Sequence, residues 1–282
     1  MKPLILALIG IIAAPILGGL LSGLDRRITA RLQSRFGPPI LQPFYDVAKL
    51  WGKEPMASNV WITFCSWIYV SAAITSVAIF FAGGDLLLLF FVQAVGAVFL
   101  VIGALSVNSP YSQVGGQREL LQVLTYEPLI ILVIVGIALT TGSFKVSAAF
   151  DVNQPLLLQL PLLFLVLAEA LTIKLRKSPC DISASLHAHQ EIVRGVYTEY
   201  ASKNLALVEI AHWYEVILIL GLCAMFWSTS IFGMAVLLAA TYFVEILIDN
   251  VTARMTWRWM LASVWLTGLG LSVVNLTWLY AR

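Results

Sequence analysis

Charge is scarce in this sequence. Only 11% of its 282 residues are Asp, Glu, Lys or Arg, where soluble domains carry about 25%. A chain this poor in charge cannot clothe itself for water, so a soluble enzyme is excluded. Cysteine is scarce as well. Cys65, Cys180 and Cys223 stand apart, with no C-x-x-C and no ligand cluster beside them, so no iron–sulfur cluster or haem is expected in this chain. Histidine occurs three times. His187 and His189, with Glu191, have an i, i+2 spacing that suits a strand better than a helix, and no third His or Cys follows at a usual ligand spacing. No metal is expected there. The formal net charge of +2 is too small to argue for nucleic acid. Nothing in the composition marks a linker or second domain, and residues 1–282 read as one membrane domain.

What fills the chain is apolar: 60% of residues, with a mean hydropathy of +0.91. These residues gather into eight runs at 3–24, 60–82, 85–107, 119–141, 156–175, 204–227, 229–248 and 259–281, each near or beyond the roughly 18 residues that span a bilayer. The expected fold is an all-α integral membrane protein of eight transmembrane helices. The opening Met1-Lys2 and its apolar run resemble a signal peptide. That run is long, however, and Gly23-Leu24-Asp25-Arg26-Arg27 reads as a cytoplasmic stop, so a retained first helix is expected.

Eight crossings sort the 17 Lys and Arg residues 14 against 3. Arg26, Arg27, Arg31, Arg35, Lys49, Lys53, Arg118, Lys174, Arg176, Lys177, Arg194, Lys203, Arg254 and Arg258 share one side; Lys2, Lys145 and Arg282 share the other. The rule that basic loops stay inside then makes the long loops cytoplasmic and both termini external, in the cell (inner or cytoplasmic) membrane. Within loop 25–59, Ile28, Leu32 and Phe36 recur at i, i+4, i+8. After Gly37-Pro38-Pro39, an apolar stripe from Leu41 to Trp51 runs beside Asp46, Lys49 and Lys53. A short amphipathic helix at the membrane interface is expected; an ordinary cytoplasmic loop is the alternative.

Ionisable groups inside lipid-depth helices are costly, about 2.5–3.5 kcal/mol at the centre on insertion scales, and mark ion pathways. In the fourth run Arg118, Gln122 and Tyr126 share a side, with Glu119 and Glu127 adjacent and Pro128 breaking the helix ladder beside Glu127. Arg118 and Glu119 also lie near enough to the interface to snorkel. In the sixth run Glu209, His212 and Glu215 are each three residues on from the last, which places them on one arc of the helix. Carboxylate, imidazole and carboxylate in that order can hold and pass protons; a packing network without transport is the alternative. Glu169 lies in the fifth run without a local partner, and Glu245 with Asp249 reads as an interfacial pair for Arg254. Loop 176–203 is polar enough to form a hydrogen-bonded plug at the mouth of the bundle, under another protein.

Three separated stretches carry a resemblance. Arg35-Phe36-Gly37-Pro38-Pro39 with Leu41-Gln42 and Asp46-Val47-Ala48-Lys49-Leu50 resembles the R-x-G-P-N…L-Q…D-x-x-K-L motif of the eight-helix membrane subunit of respiratory complex I, known as its first or H subunit. Asn108-Ser109 through Arg118, with Tyr126-Glu127, resembles that family's Arg and S-Y-E element. Pro179-x-Asp181, Glu191, Gly195 and Glu199-Tyr200 resemble its P-F-D-L…E-L-x-x-G…E-Y loop. Within the family, His187 through Gly195 and Glu209 through Glu215 look most like the corresponding membrane component, the B component, of Ech-type energy-converting [NiFe]-hydrogenases.

The resemblance implies a non-catalytic subunit that binds no cofactor itself. It would dock hydrogenase large and small subunits and an iron–sulfur subunit carrying the nickel–iron centre and clusters, beside an antiporter-like membrane subunit, with ferredoxin as electron partner. It further implies an ion pathway through Glu119, Tyr126, Glu127, Glu191, Glu199, Glu209, His212 and Glu215. Arg35, Asp46, Lys49, Arg118, Asp181, His187, His189 and Arg194 would serve docking or coupling. The sequence departs from complex I at Lys174, where relatives hold Glu, at Cys180 in place of Phe, and along Ser183 to His189, where an acidic run is missing. Those departures argue against a quinone site. The H subunit of a quinone-reducing complex I and the anchor of a formate- or carbon-monoxide-linked hydrogenase are alternatives within the family. A stand-alone secondary transporter is the alternative from another class, since intramembrane acids and a broken helix suit it too.

Overall fold

A computed structural model describes residues 2–54, 59–184 and 194–281. His187, His189 and Glu191 lie outside the described residues. Among those described, seven helices are long and apolar enough to cross a membrane. They are α1 (Lys2–Leu32), α3 (Val60–Phe81), α4 (Leu86–Leu105), α5 (Pro110–Thr141), α8 (Ser202–Met225), α9 (Ile231–Val251) and α10 (Trp257–Tyr280). Three shorter helices join them: α2 (Gln42–Trp51), α6 (Val146–Phe150) and α7 (Pro161–Lys174). Leu4, Ile5, Leu8, Ile9, Ile12 and Ile16 on α1, and Ile231, Phe232 and Val236 on α9, are exposed. So large an apolar surface belongs in lipid. The protein is an all-α, multi-pass membrane protein.

The expectation of eight full-length spans is corrected at the fifth. Instead of one helix over 156–175, a 3-10 turn at Leu156–Leu158 leads into α7, which has only 14 residues. Pro155 and Pro161 explain the break. Proline has no amide hydrogen, so it is tolerated at the first helical position and terminates whatever precedes it; Pro161 holds that position in α7. At 1.5 Å per residue α7 is about 21 Å long, short of the roughly 30 Å hydrocarbon core. Its N-terminal amides are nevertheless satisfied. The Oδ1 of Asn275, a fully buried residue of α10, accepts from Leu162 N at 2.9 Å and Leu163 N at 3.0 Å, while Asn275 Nδ2 donates to the Gln159 carbonyl at 3.1 Å.

Two other boundaries move. The connection expected at 108–118 is mostly the opening turns of α5, which starts at Pro110. Polar Tyr111 to Arg118 hides this helix from a hydropathy scan. The helix α1 runs on past residue 24 to Leu32, absorbing the Ile28/Leu32 periodicity.

α8 is the axis of the bundle. It packs against α1, α2, α3, α7 and α9, while α5 is flanked by α4, α7 and α10. Loop contacts define two ends. At one, Lys177 meets Asp25, Arg118 meets Asp181, and Met255 N donates to the Pro179 carbonyl. At the other, Leu86 N donates to Phe144 O, Leu157 N to Phe226 O, and Ser228 Oγ to Ala149 O.

Candidate functional site

The chain leaves α7 in a tight segment, with Arg176 at a positive φ of 55°, and its next two side chains diverge. Arg176, 9% exposed, turns toward α5, where its guanidinium lies 3.4 Å from Glu119 Oε1 and donates to the Tyr197 hydroxyl. Ser183 Oγ donates to the other oxygen of Glu119. Lys177, 4% exposed, turns toward α1 and α9. Its ammonium is 3.0 Å from Asp25 Oδ1 and lies over the Tyr242 ring, and Asp249 accepts from the neighbouring Ser178 amide at 2.9 Å. Buried charges persist only when paired and hydrogen-bonded, and both basic residues meet that condition.

The loop is fixed from α5 as well. Arg118 Nε donates to Asp181 Oδ2 at 3.0 Å and its Nη2 pairs with Oδ1, a two-pronged guanidinium–carboxylate contact that sets orientation as well as distance. Gln122 Nε2 donates to the Asp181 carbonyl. Gly195 makes the return path possible. It sits at φ +59°, and a Cβ there would lie 1.9 Å from the Ser183 carbonyl oxygen. Without it, Val196 N could not donate to Ser183 O at 3.0 Å. The plug expected for loop 176–203 is thus present where the loop is described. It buries Cys180, whose thiol is pushed up to about 12 by desolvation first, with Glu245, Glu169 and Asp181 adding to it.

One step deeper, Lys174 at the end of α7 faces Glu215 on α8 at 3.5 Å, both nearly buried. The ammonium also lies over the Tyr126 ring, 4.6 Å from its centroid. The second oxygen of Glu215 is 4.0 Å from His212 Nδ1, a buried nitrogen without a hydrogen-bond partner among the described residues. Tyr69, Glu119, Gln122, Tyr126, Lys174, Arg176 and Glu215 surround a cavity of about 10 Å³, on the threshold of room for one water. Two cation–carboxylate pairs therefore stand in sequence, Arg176–Glu119 and Lys174–Glu215, with an imidazole at the far end. Such an array can hold a proton and transfer it by exchanging partners.

The expected residues divide into three groups. Glu119, Tyr126, His212 and Glu215 meet in or beside the cavity, and Arg118 and Asp181 hold its roof. Glu209 lies 3.7 Å from Arg194 on the same face of α8, half-buried Glu127 is within electrostatic reach of Lys174, and Glu199 is partly exposed. Arg35 and Lys49 are exposed, away from the cavity, and Asp46 bridges to Arg26 at 3.0 Å and Gln42 at 2.9 Å. Glu169 does have a partner, the Thr267 hydroxyl at 3.2 Å. Glu245 accepts from Thr172 at 2.8 Å, so it is engaged inside the bundle rather than at an interface. Sequence reasoning gave no place in the site to Lys174, Arg176, Ser183 or Tyr197. The signal available was the alternation of basic residues with a helix end at Lys174-Leu175-Arg176-Lys177.

The family profile described as NADH dehydrogenase matches residues 4–280. The chain belongs to the NADH dehydrogenase family. Among members of this family it is 32% identical to hydrogenase-4 component C of Escherichia coli (strain K12), over 67% of this chain and 64% of that protein. It is 30% identical to formate hydrogenlyase subunit 4 of the same organism, over 73% of this chain and 70% of that protein. With the H subunit of the NADH-quinone oxidoreductase of Dehalococcoides mccartyi (strain ATCC BAA-2266 / KCTC 15142 / 195) the identity is 29%, over 70% and 60%. The chain thus matches less than two thirds of the length of two of these three relatives. Its fold matches a chain in the structure of the membrane-bound sulfane sulfur reductase, an archaeal respiratory membrane complex, with a TM-score of 0.87 and 23% identity, covering 99% of this chain and 100% of that one.

Proposed function

We propose that this chain is the membrane anchor and ion-coupling subunit of an energy-converting, ferredoxin-dependent [NiFe]-hydrogenase of Ech type. One observation carries the reading: the buried series Arg176–Glu119, Lys174–Glu215 and His212 descends from the loop plug into the bundle. The plug is the surface on which hydrogenase large, small and iron–sulfur subunits dock. Those partners hold the nickel–iron centre and the clusters, and an antiporter-like subunit adjoins the bundle laterally. A redox-driven displacement of the plug shifts Arg176 against Glu119 and passes proton or sodium movement to the groups below. The relative named for hydrogenase-4 supports a hydrogenase anchor, and the one named for formate hydrogenlyase favours the formate-linked anchor as the alternative within that class. The relatives named for NADH-quinone oxidoreductase favour a quinone-reducing complex as the second reading; Lys174, where the resemblance to complex I implies a Glu, argues against it.

The α7 helix with its 3-10 turn serves as the eighth crossing. It joins the end holding Phe226 to the end holding Asp25, and eight crossings alone keep 14 of the 17 basic residues on one side. That side is cytoplasmic, with both termini outside, and α2 lies along the same interface.

The test is a pair of single variants, Glu127→Gln and Glu209→Gln, in membranes where ferredoxin oxidation drives ion uptake. Each is expected to assemble and to lose the gradient. Unimpaired uptake in both removes these carboxylates from the mechanism, and a chain purified without iron- or nickel-bearing companions removes the hydrogenase.

A further inference from the structure

Between α2, α3 and α8 an open groove of about 170 Å³ is lined by Trp51, Thr63, Trp67, Lys203, Asn204 and Leu207. It is separate from the carboxylate series. Its floor is polar but closed: Asn204 Nδ2 donates to Thr63 Oγ1 at 3.1 Å, and Asn204 Oδ1 accepts from Ser66 at 3.3 Å. The floor therefore asks nothing of a ligand. The walls are aromatic and open, with Trp51 46% and Trp67 56% exposed. The rim is cationic. Ser202 Oγ donates to the Lys53 carbonyl at 2.6 Å, which brings Lys53 against the residue preceding Lys203. Both lysines are exposed, and neither is in an ion pair among the described residues. Glu54, also exposed, follows Lys53, so the rim retains one net positive charge.

We propose that this groove binds one anionic phospholipid, its phosphate against Lys203 and Lys53 and one acyl chain along Trp67 and Leu207. Tryptophan favours the level of the headgroups. A lysine near an anionic lipid surface strengthens attraction about fivefold, whereas a zwitterionic headgroup brings its own cation and gains little from either lysine.

The experiment uses the full chain, with whatever subunits accompany it, washed in mild detergent and titrated with phosphatidylglycerol or phosphatidylcholine under native mass spectrometry. The wild type is expected to retain one phosphatidylglycerol at least tenfold more tightly than phosphatidylcholine. The exposed double variant Lys53→Ala/Lys203→Ala loses that preference, and Trp67→Ala weakens both lipids alike. Equal affinity of the wild type for the two lipids overturns the proposal, and so does an undiminished preference in the double variant. A Trp67→Cys variant that crosslinks to a companion protein in native membranes overturns it as well, by showing the groove covered.

Discussion

At the scale of single residues, Lys174 and Glu215 show how a membrane interior tolerates charge: by pairing it across two helices within 3.5 Å. Breaking one side of such a pair costs about 3–5 kcal/mol, because the survivor stays buried, while replacing both with apolar groups is often neutral. Lys174→Met and Glu215→Leu alone are therefore expected to lower the thermal midpoint in detergent sharply. The double variant should recover the midpoint yet drive no ion gradient. A double variant as unstable as the singles would mean that the pair organises more than its own charges. Cys180 offers a second check. With its thiol at about 12, almost no thiolate, the reactive species, exists at pH 8, so maleimide should leave Cys180 unmodified until the chain is unfolded. The Glu209, His212 and Glu215 arc was legible in the sequence because a step of three is local. Their cations were not, since Lys174 and Arg194 arrive from other elements.

Among elements, α7 is the instructive one. A hydropathy scan sees 156–175 as one apolar run because it sums side chains and ignores which residues lack an amide hydrogen. Pro161 divides that run just after Pro155 opens it, and the amide end of the shorter helix has to be satisfied at lipid depth. Asn275 does so from α10 with three hydrogen bonds. Asn275→Leu leaves Leu162 N and Leu163 N without that acceptor, at about 1–3 kcal/mol for each buried group left unmet. A lower thermal midpoint with faster proteolysis around residues 155–160 is expected. An unchanged midpoint would show that another acceptor takes over. The beginning of α5 was missed for the opposite reason: Ser109 and Pro110 give a good helix start, but the turns that follow are too polar to register as membrane helix.

Across the whole molecule, the helix count and the charge asymmetry make one joint prediction. If α7 completes a crossing, Lys49→Cys and Ala253→Cys lie on the same side, opposite Asp151→Cys. A membrane-impermeant maleimide applied to sealed, right-side-out vesicles should then label only the third. The three native cysteines are buried and should stay silent in this assay. Labelling of Ala253→Cys together with Asp151→Cys would return the protein to seven crossings.

Arg176 and Lys177 are consecutive, yet they anchor to opposite flanks, one to Glu119 on α5 and the other to Asp25 on α1. A single peptide unit thus works like the pivot of a balance. Whatever tilts it toward one helix must loosen its hold on the other, and two distant carboxylates exchange tension with no wire running between them.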